Sequence, residues 1–167
     1  MTVLQFWNEY FAKTGQKPQE AIYNGELCFE DSGWTGQSQL NLVLGEKKTA
    51  IFTPFPSFEI NREKLPVAGE VYVVEDTQEN PCAVIRVKDV KIIPFSQISW
   101  ELAQQDGEDE TLEAWQEKER DFFEEEADLC GFDFDEEMPV VCEIFELVYK
   151  KIKTFKIQSL KSNFCVL

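Results

Sequence analysis

The stretch LNLVLGEKKTAIFTPF, residues 40–55, contains the change of hydrophobic period on which the fold depends. An apolar run of helical spacing ends at Gly45, and two lysines, Lys47 and Lys48, follow it. Residues 49–53 then alternate between apolar and polar side chains, which is typical of a half-buried strand. The pattern therefore predicts a helix joined almost directly to a strand, with both lysines at the joint.

Further along the chain, two apolar, β-branched runs at residues 69–74 and 82–87 flank a polar turn. This pattern predicts a β-hairpin, and residues 90–94 continue it as a third strand. Prolines between residues 53 and 66 exclude an unbroken central strand there and predict an irregular arm. A last strong strand is expected at residues 140–149. From these strands we expect six buried side chains: Val71, Val73, Val84, Ile85, Ile92 and Ile144.

Besides the helix that ends at Gly45, three helices are predicted around these strands. Thr2 and Gln5 have the spacing of a capping box at the start of the first helix. Ser96 or Ser99 can begin a second helix, and Thr111 begins a long third one with Phe122 on its buried side. Helices that do not alternate with strands indicate an α+β fold or a helix-decorated barrel.

The length of 167 residues is typical of one domain, which we place at residues 1–149, followed by a tail at 150–167. The tail contains five lysines and no acid, whereas residues 106–137 contain 16 acids and two basic residues. We expect the tail to extend the last strand and to dock on the acidic stretch, in its own chain or in a second copy. Docking in a second copy would make the protein a homodimer. The competing interpretation is that the tail is a mobile basic arm that binds RNA.

Composition excludes several chemistries. Histidine is absent, and the five cysteines include no CxxC pair, so Cys/His zinc sites and histidine-dependent catalytic triads are excluded. We therefore expect neither a metal nor a cofactor. The net charge of −16 opposes binding of duplex DNA. No apolar run approaches the roughly 20 residues that span a bilayer, and no secretory signal begins the chain, so we expect a cytoplasmic protein.

Six segments together resemble the ASCH domain family: FWNEY, LVLGEKKTA, LPVAGEVYVV, NPCAVIRVKDVKIIPF, GEDETLEAW and DEEMPVVCEIFELVY. The resemblance covers residues 3–149 and is to the bacterial, uncharacterised RNA-binding branch. It implies a PUA-like β-barrel flanked by helices, with a cleft beside the lysine joint.

Some members of this family are similar to amidohydrolases that act on acylated nucleosides with a lysine, a threonine nucleophile and a glutamate. The matching positions here are Lys48, Ile51 and Asp106. Because isoleucine has no hydroxyl, the family mechanism cannot run unchanged. Thr53 is a displaced hydroxyl on the same strand face. The acidic surroundings also stabilise a lysine ammonium, whereas a general base needs the neutral amine.

Two functions remain open. The first is a non-catalytic module that binds an RNA end, a nucleotide or a nucleoside in the cleft. Its expected ligand-binding residues are Lys47, Lys48, Thr49, Arg86 and Trp34, the last by stacking on a base. The alternative is an amidohydrolase of N-acylated nucleosides that uses Lys48, Asp106 and Thr53. Both hypotheses require Lys48 and Asp106 to meet in one pocket.

Overall fold

The computed structural model describes residues 1–29 and 33–151, with the backbone alone described at residues 33 and 34. The helices are α1 (Val3–Thr14), α2 (Gly33–Leu44), α3 (Phe55–Asn61), α4 (Trp100–Ala103) and α5 (Leu112–Cys130). The strands are β1 (Ile22–Cys28), β2 (Ala50–Pro54), β3 (Glu70–Glu75), β4 (Pro81–Pro94) and β5 (Pro139–Lys150). The predicted α+β class, with helices flanking a sheet, is confirmed.

The five strands form one mixed sheet in the order β1-β3-β4-β5-β2. Only β1 and β3 are parallel; the other three neighbouring pairs are antiparallel. The sheet is open, which corrects the expectation of a closed barrel, because within the described ranges β1 and β2 do not pair with each other. Helix α2 fills the space between these edges: its Leu40 and Val43 lie in one apolar cluster that Leu27 of β1 and Ile51 of β2 also contact.

Helix α1 packs on the other face of the sheet. The predicted capping box is present, since Thr2 accepts from the Gln5 backbone and the Gln5 side chain accepts from the Thr2 backbone. Phe6 and Tyr10 of α1 are fully buried against Val73 of β3 and its neighbours. Because successive side chains of a strand point to opposite faces, Val73 contacts α1 and Val74 contacts α2.

Helix α5 covers the end of the sheet formed by β2 and β5. Thr111 caps it as predicted, by accepting from the Ala114 backbone, and Gly131 ends it. Its fully buried Trp115 contacts Phe52 of β2, with the ring centroids 4.9 Å apart. This packing fixes the first half of α5 beside β2.

Several predictions are corrected. The irregular arm contains helix α3, because Pro56 lies in the first turn, where a helix does not need the missing N–H. The predicted second and third strands are one strand, β4, in which a bulge between Val87 and Asp89 accommodates the polar pair Lys88 and Asp89 without ending the strand. Of the six side chains expected in the core, Ile92 is 48% exposed. Ile144 is partly buried and packs against the apolar cluster that contains Trp115 and Phe123 of α5, and the other four side chains are buried.

Strand β5 ends at Lys150, and residues 152–167 lie outside the described part of the chain, so the predictions for the tail stay predictions. None of the helices in the described ranges is long and apolar enough to cross a membrane.

Candidate functional site

The C-terminus of α2 positions Lys48. The Gly45 backbone donates to Asn41 O, and the backbones of Lys47 and Lys48 both donate to Leu42 O, at 2.9 and 3.2 Å. These bonds satisfy carbonyls at the helix end and turn the chain sharply into β2. The turn leaves Lys47 exposed and directs Lys48 inward, where 6% of the residue is exposed.

The segment after α4 is bound to this same turn. The Thr49 backbone donates to Gln105 O at 2.7 Å, and its hydroxyl donates to the Gln105 side chain at 3.4 Å. Gly107 follows with φ of +85°, and a Cβ atom at this position would lie 2.7 Å from Lys47 O. Glycine is therefore needed both for the left-handed backbone and for the close approach of the two segments. Asp106, between Gln105 and Gly107, is held against the lysine joint.

Lys48 Nζ donates to Asp106 Oδ1 although the two residues are 58 positions apart. Both are nearly inaccessible, with Asp106 4% exposed. Burial favours the neutral form of Asp106, but Lys48 and Lys118 outweigh it and hold the pKa of this carboxyl below its usual value. The proximity that both functional hypotheses require is confirmed, and the roles of the two side chains stay predictions.

Lys118 of α5 binds the other oxygen of Asp106, at 2.7 Å. Its ammonium also lies 2.7 Å from Glu108 Oε2 and 2.8 Å from Asp109 Oδ2. Glu119 is more distant, with Oε1 3.5 Å from Lys118 Nζ. Burial would lower the pKa of Lys118, but the carboxylates, Asp106 first, raise it above its usual value. The members of this Asp106 network are Lys48, Asp106, Glu108, Asp109, Lys118 and Glu119.

The Asp106 network forms the polar end of a cavity of about 530 Å³. Ligand sites for small molecules in proteins commonly have volumes in this range, roughly 300–1,000 Å³. Ile51, which occupies the family's nucleophile position, and Thr53, the displaced hydroxyl, both line the cavity. The remaining lining is largely apolar and aromatic. The lining residues are Phe29, Thr35, Gln39, Lys48, Ile51, Phe52, Thr53, Asp106, Glu108, Lys118, Glu119 and Phe122.

Three other residues expected to bind a ligand, Lys47, Thr49 and Arg86, do not line this cavity. Lys47 faces solvent, and Thr49 connects the turn to Gln105 rather than lining the cavity. Arg86 lines a different cavity, of about 330 Å³, together with Tyr10 of α1 and residues near it. Arg86 is separated from Lys48 because it follows Ile85 on β4 and therefore points to the α1 face. The side chain of Trp34 lies outside the described part of the structure.

Three cavity residues on α5, Lys118, Glu119 and Phe122, were not identified from the sequence. Phe122 was expected on the buried side of the helix, yet it is 50% exposed beside the cavity. A usable signal was present: Lys118 is the only lysine in the acidic stretch, and Phe122 follows it by one helical turn. Within residues 1–29 and 33–151, no three acidic or cysteine side chains are arranged to hold a metal ion.

The fold and the lysine joint define an α+β domain of the PUA-like class. The family model of the ASCH domain matches residues 27–149, and the chain belongs to this family. The crystal structure of protein EF3133 from Enterococcus faecalis, of the DUF984 family, is similar at 30% identity with a TM-score of 0.74, covering 87% of this chain and 86% of that one.

A second crystal structure, of an ASCH domain from Lactobacillus crispatus, is similar at 24% identity with a TM-score of 0.79. It covers 87% of this chain and 93% of that chain, and at this identity it supports the fold alone. No functionally curated protein matches the chain.

Proposed function

We propose that this ASCH domain is a non-catalytic module that binds a nucleoside in the cavity beside Lys48. The supporting observation is that the buried Lys48–Asp106 pair lies at the polar end of a cavity whose walls include Phe29, Phe52 and Phe122. Aromatic walls suit a flat heterocycle, and a few fixed polar groups at one end orient it. Lys48 carries three donors, and Asp106 Oδ1 accepts one of them.

The charge of the cavity favours a nucleoside over a nucleotide. Four carboxylates of the Asp106 network stand against the ammonium groups of Lys48 and Lys118. A phosphate would therefore enter a negative field in a poorly solvated site. The net charge of −16 opposes the backbone of RNA in the same way. A free nucleoside therefore fits better than the end of an RNA strand, and the RNA end becomes an outcome of the test.

Binding is tested by the thermal stability of the full chain with the four ribonucleosides, their 5′-monophosphates and a short single-stranded RNA. At 100 times its dissociation constant, a ligand stabilises a protein by about 2.7 kcal/mol. We expect stabilisation by at least one nucleoside and a weaker effect of its monophosphate. Stabilisation by RNA alone would instead support an RNA-end site, and no shift with any of them would refute the proposal.

Two variants localise the effect. Lys48→Met removes the ammonium but keeps most of the length of the unbranched side chain, and we expect it to abolish the stabilisation. Lys64→Met removes an exposed lysine that does not line the cavity and is the control. Equal nucleoside binding by both variants would place the ligand outside this cavity.

The second candidate is an amidohydrolase of N-acylated nucleosides. It is supported by one observation: Lys48, Asp106 and Thr53 line the same cavity. Against it stands Ile51, which places a hydrocarbon where the family has its nucleophile. We expect hydrolysis of N4-acetylcytidine to be absent or very weak. Multiple turnovers that are lost in both Lys48→Ala and Thr53→Ala would establish the enzyme and a displaced nucleophile.

A further inference from the structure

Among the carboxylates of the Asp106 network, Glu119 is the one that the lysines bind least closely. The ammonium of Lys118 has three protons, and three oxygens, of Asp106, Glu108 and Asp109, lie within 2.8 Å of it. Glu119 Oε1 lies 3.5 Å away, beyond these three. Among the described residues, Lys118 is also the only cation within salt-bridge distance of Glu119. The Glu119 carboxyl therefore retains most of its capacity to accept hydrogen bonds.

Glu119 is 9% exposed and faces the cavity, one turn of α5 before Phe122. Burial first, and then repulsion by Asp106, raises its pKa to about 7, while Lys118 and Lys48 oppose the rise. The other charged groups near this end are Glu108 and Asp109, which both lie against Lys118. A buried carboxyl without a strong donor is stabilised by a ligand that supplies one.

A second acceptor lines the same cavity. Gln39 of α2 belongs to the lining, and its Oε1 atom is buried without a hydrogen-bond partner among the described residues. Glu119 and Gln39 thus present acceptors from two different helices, in a cavity that is otherwise rich in aromatic carbon. The complementary ligand is flat and carries several N–H donors.

We propose that Glu119 determines which ligands the cavity accepts, by receiving N–H hydrogen bonds from an amidine-type edge, a carbon that bears two nitrogens, on a planar ligand. The inference rests on the proposed function, since it requires that the cavity hold a small aromatic ligand. It goes further by naming the recognising residue and the sign of charge: a cationic edge binds best, a neutral amide edge less well, and an anionic edge worst.

Three probes of the same shape test this order: benzamidine, benzamide and benzoate. Their dissociation constants for the full chain are measured by calorimetry at pH 8 and pH 5.5, where benzamidine stays cationic and benzoate anionic. At pH 8 we expect benzamidine to bind about tenfold more tightly than benzamide, because charge-assisted hydrogen bonds are roughly twice as strong as neutral ones. At pH 5.5 Glu119 is largely protonated, so this preference falls to threefold or less.

Glu119→Gln should remove both the preference for benzamidine and its dependence on pH. Glu117→Gln, at an exposed position of the same helix, is the matched control and should retain both. If Glu119→Gln fails to fold, Gln39→Leu provides the second test, with weaker benzamidine binding but an unchanged dependence on pH. A Glu119 that serves stability alone would leave the order of the three probes unchanged in Glu119→Gln, and that result overturns the inference.

The two proposals fail in different ways. If a nucleoside stabilises the protein but the three probes bind equally, the role of Glu119 is wrong and the proposed function stands. If neither probes nor nucleosides bind, both proposals are refuted.

Discussion

The cavity beside Lys48 and the cavity beside Arg86 each contain a cation paired with a carboxylate, but the two pairs differ in burial. Lys48 and Asp106 have side chains 7% and 6% exposed, whereas Arg86 and Glu146, at 3.5 Å, are 39% and 44% exposed. In water, an exposed pair contributes about 0–1 kcal/mol. Removing one partner of a buried pair costs roughly 3–5 kcal/mol, because the other charge remains buried. The two pairs carry the same charges, so the difference in their expected contribution to stability comes from the burial of Lys48 and Asp106.

The largest expected effect is that of Asp106→Asn. It leaves Lys48 buried without its carboxylate, so we expect the free energy of unfolding to fall by about 3 kcal/mol or more. In a domain of this size that corresponds to a melting temperature lower by roughly 6–12 °C. Denaturant unfolding measures it, and Glu146→Gln, in the exposed pair, is the control with a change below about 1 kcal/mol. Similar losses in both variants would remove the contrast between the two cavities.

The next largest effect is expected for Glu119→Gln, which should raise the free energy of unfolding at high pH rather than lower it. The pKa of Glu119 is raised from an ordinary value of 4.5 to about 7, mainly by burial. Between these values the folded state binds more protons than the unfolded state, so stability is lost as the pH rises. The variant cannot ionise and should be more stable than the wild type at pH 8, by about 3 kcal/mol at 1.36 kcal/mol per pKa unit.

Near pH 4.5 this difference between Glu119→Gln and the wild type should disappear. Urea unfolding at several pH values from 4.5 to 8 measures it, and the exposed Glu117→Gln should match the wild type throughout. A Glu119→Gln variant that is less stable than the wild type at pH 8 would show that the ionised carboxylate is stabilised in the folded state.

Gly107→Ala tests the close approach that builds the site. The Cβ would lie 2.7 Å from Lys47 O, so the lysine joint must move, in addition to the strain of φ +85°. Gly131→Ala is the control, because it has a similar φ of +82° and nothing lies within 4 Å of its Cβ. We expect Gly107→Ala to cost about 1–3 kcal/mol more than Gly131→Ala and to weaken nucleoside binding. Equal costs would mean that the two segments do not need their close contact.

The smallest effect is expected for Arg86→Gln. The side chains of Arg86 and Glu146 are 39% and 44% exposed and lie 3.5 Å apart, so solvent screens the pair and the free energy of unfolding should change by less than about 1 kcal/mol, measured with urea. Because Arg86 lines the cavity near α1, nucleoside binding should be unchanged. Loss of nucleoside binding in this variant would restore the assignment of Arg86 to the ligand site that the sequence suggested.

How well each site residue could be predicted from the sequence depended on how close along the chain the residues that reveal it are. Lys48 could be placed at a helix–strand joint because Gly45 and the change of period lie within a few residues of it. Asp106 was found only through the resemblance to the family, since no local pattern connects positions 58 apart. Glu119 was missed because a helix in an acidic stretch gives no sign of which of its many carboxylates faces inward, and Lys118 stood out only as the one lysine of that stretch.

The sequence by itself determined the local elements: the capped first helix, the β3–β4 hairpin, the long helix between Thr111 and Gly131, and the lack of any histidine chemistry. Caps, turns and hydrophobic periods depend on neighbouring residues, so a single chain shows them directly. The tertiary structure alone decided that Arg86 points away from Lys48, that β4 continues through its bulges, and that Lys118 reaches both Asp106 and Glu119. Those features depend on how distant segments pack, and packing is set by burial and contact in three dimensions rather than by spacing along the chain.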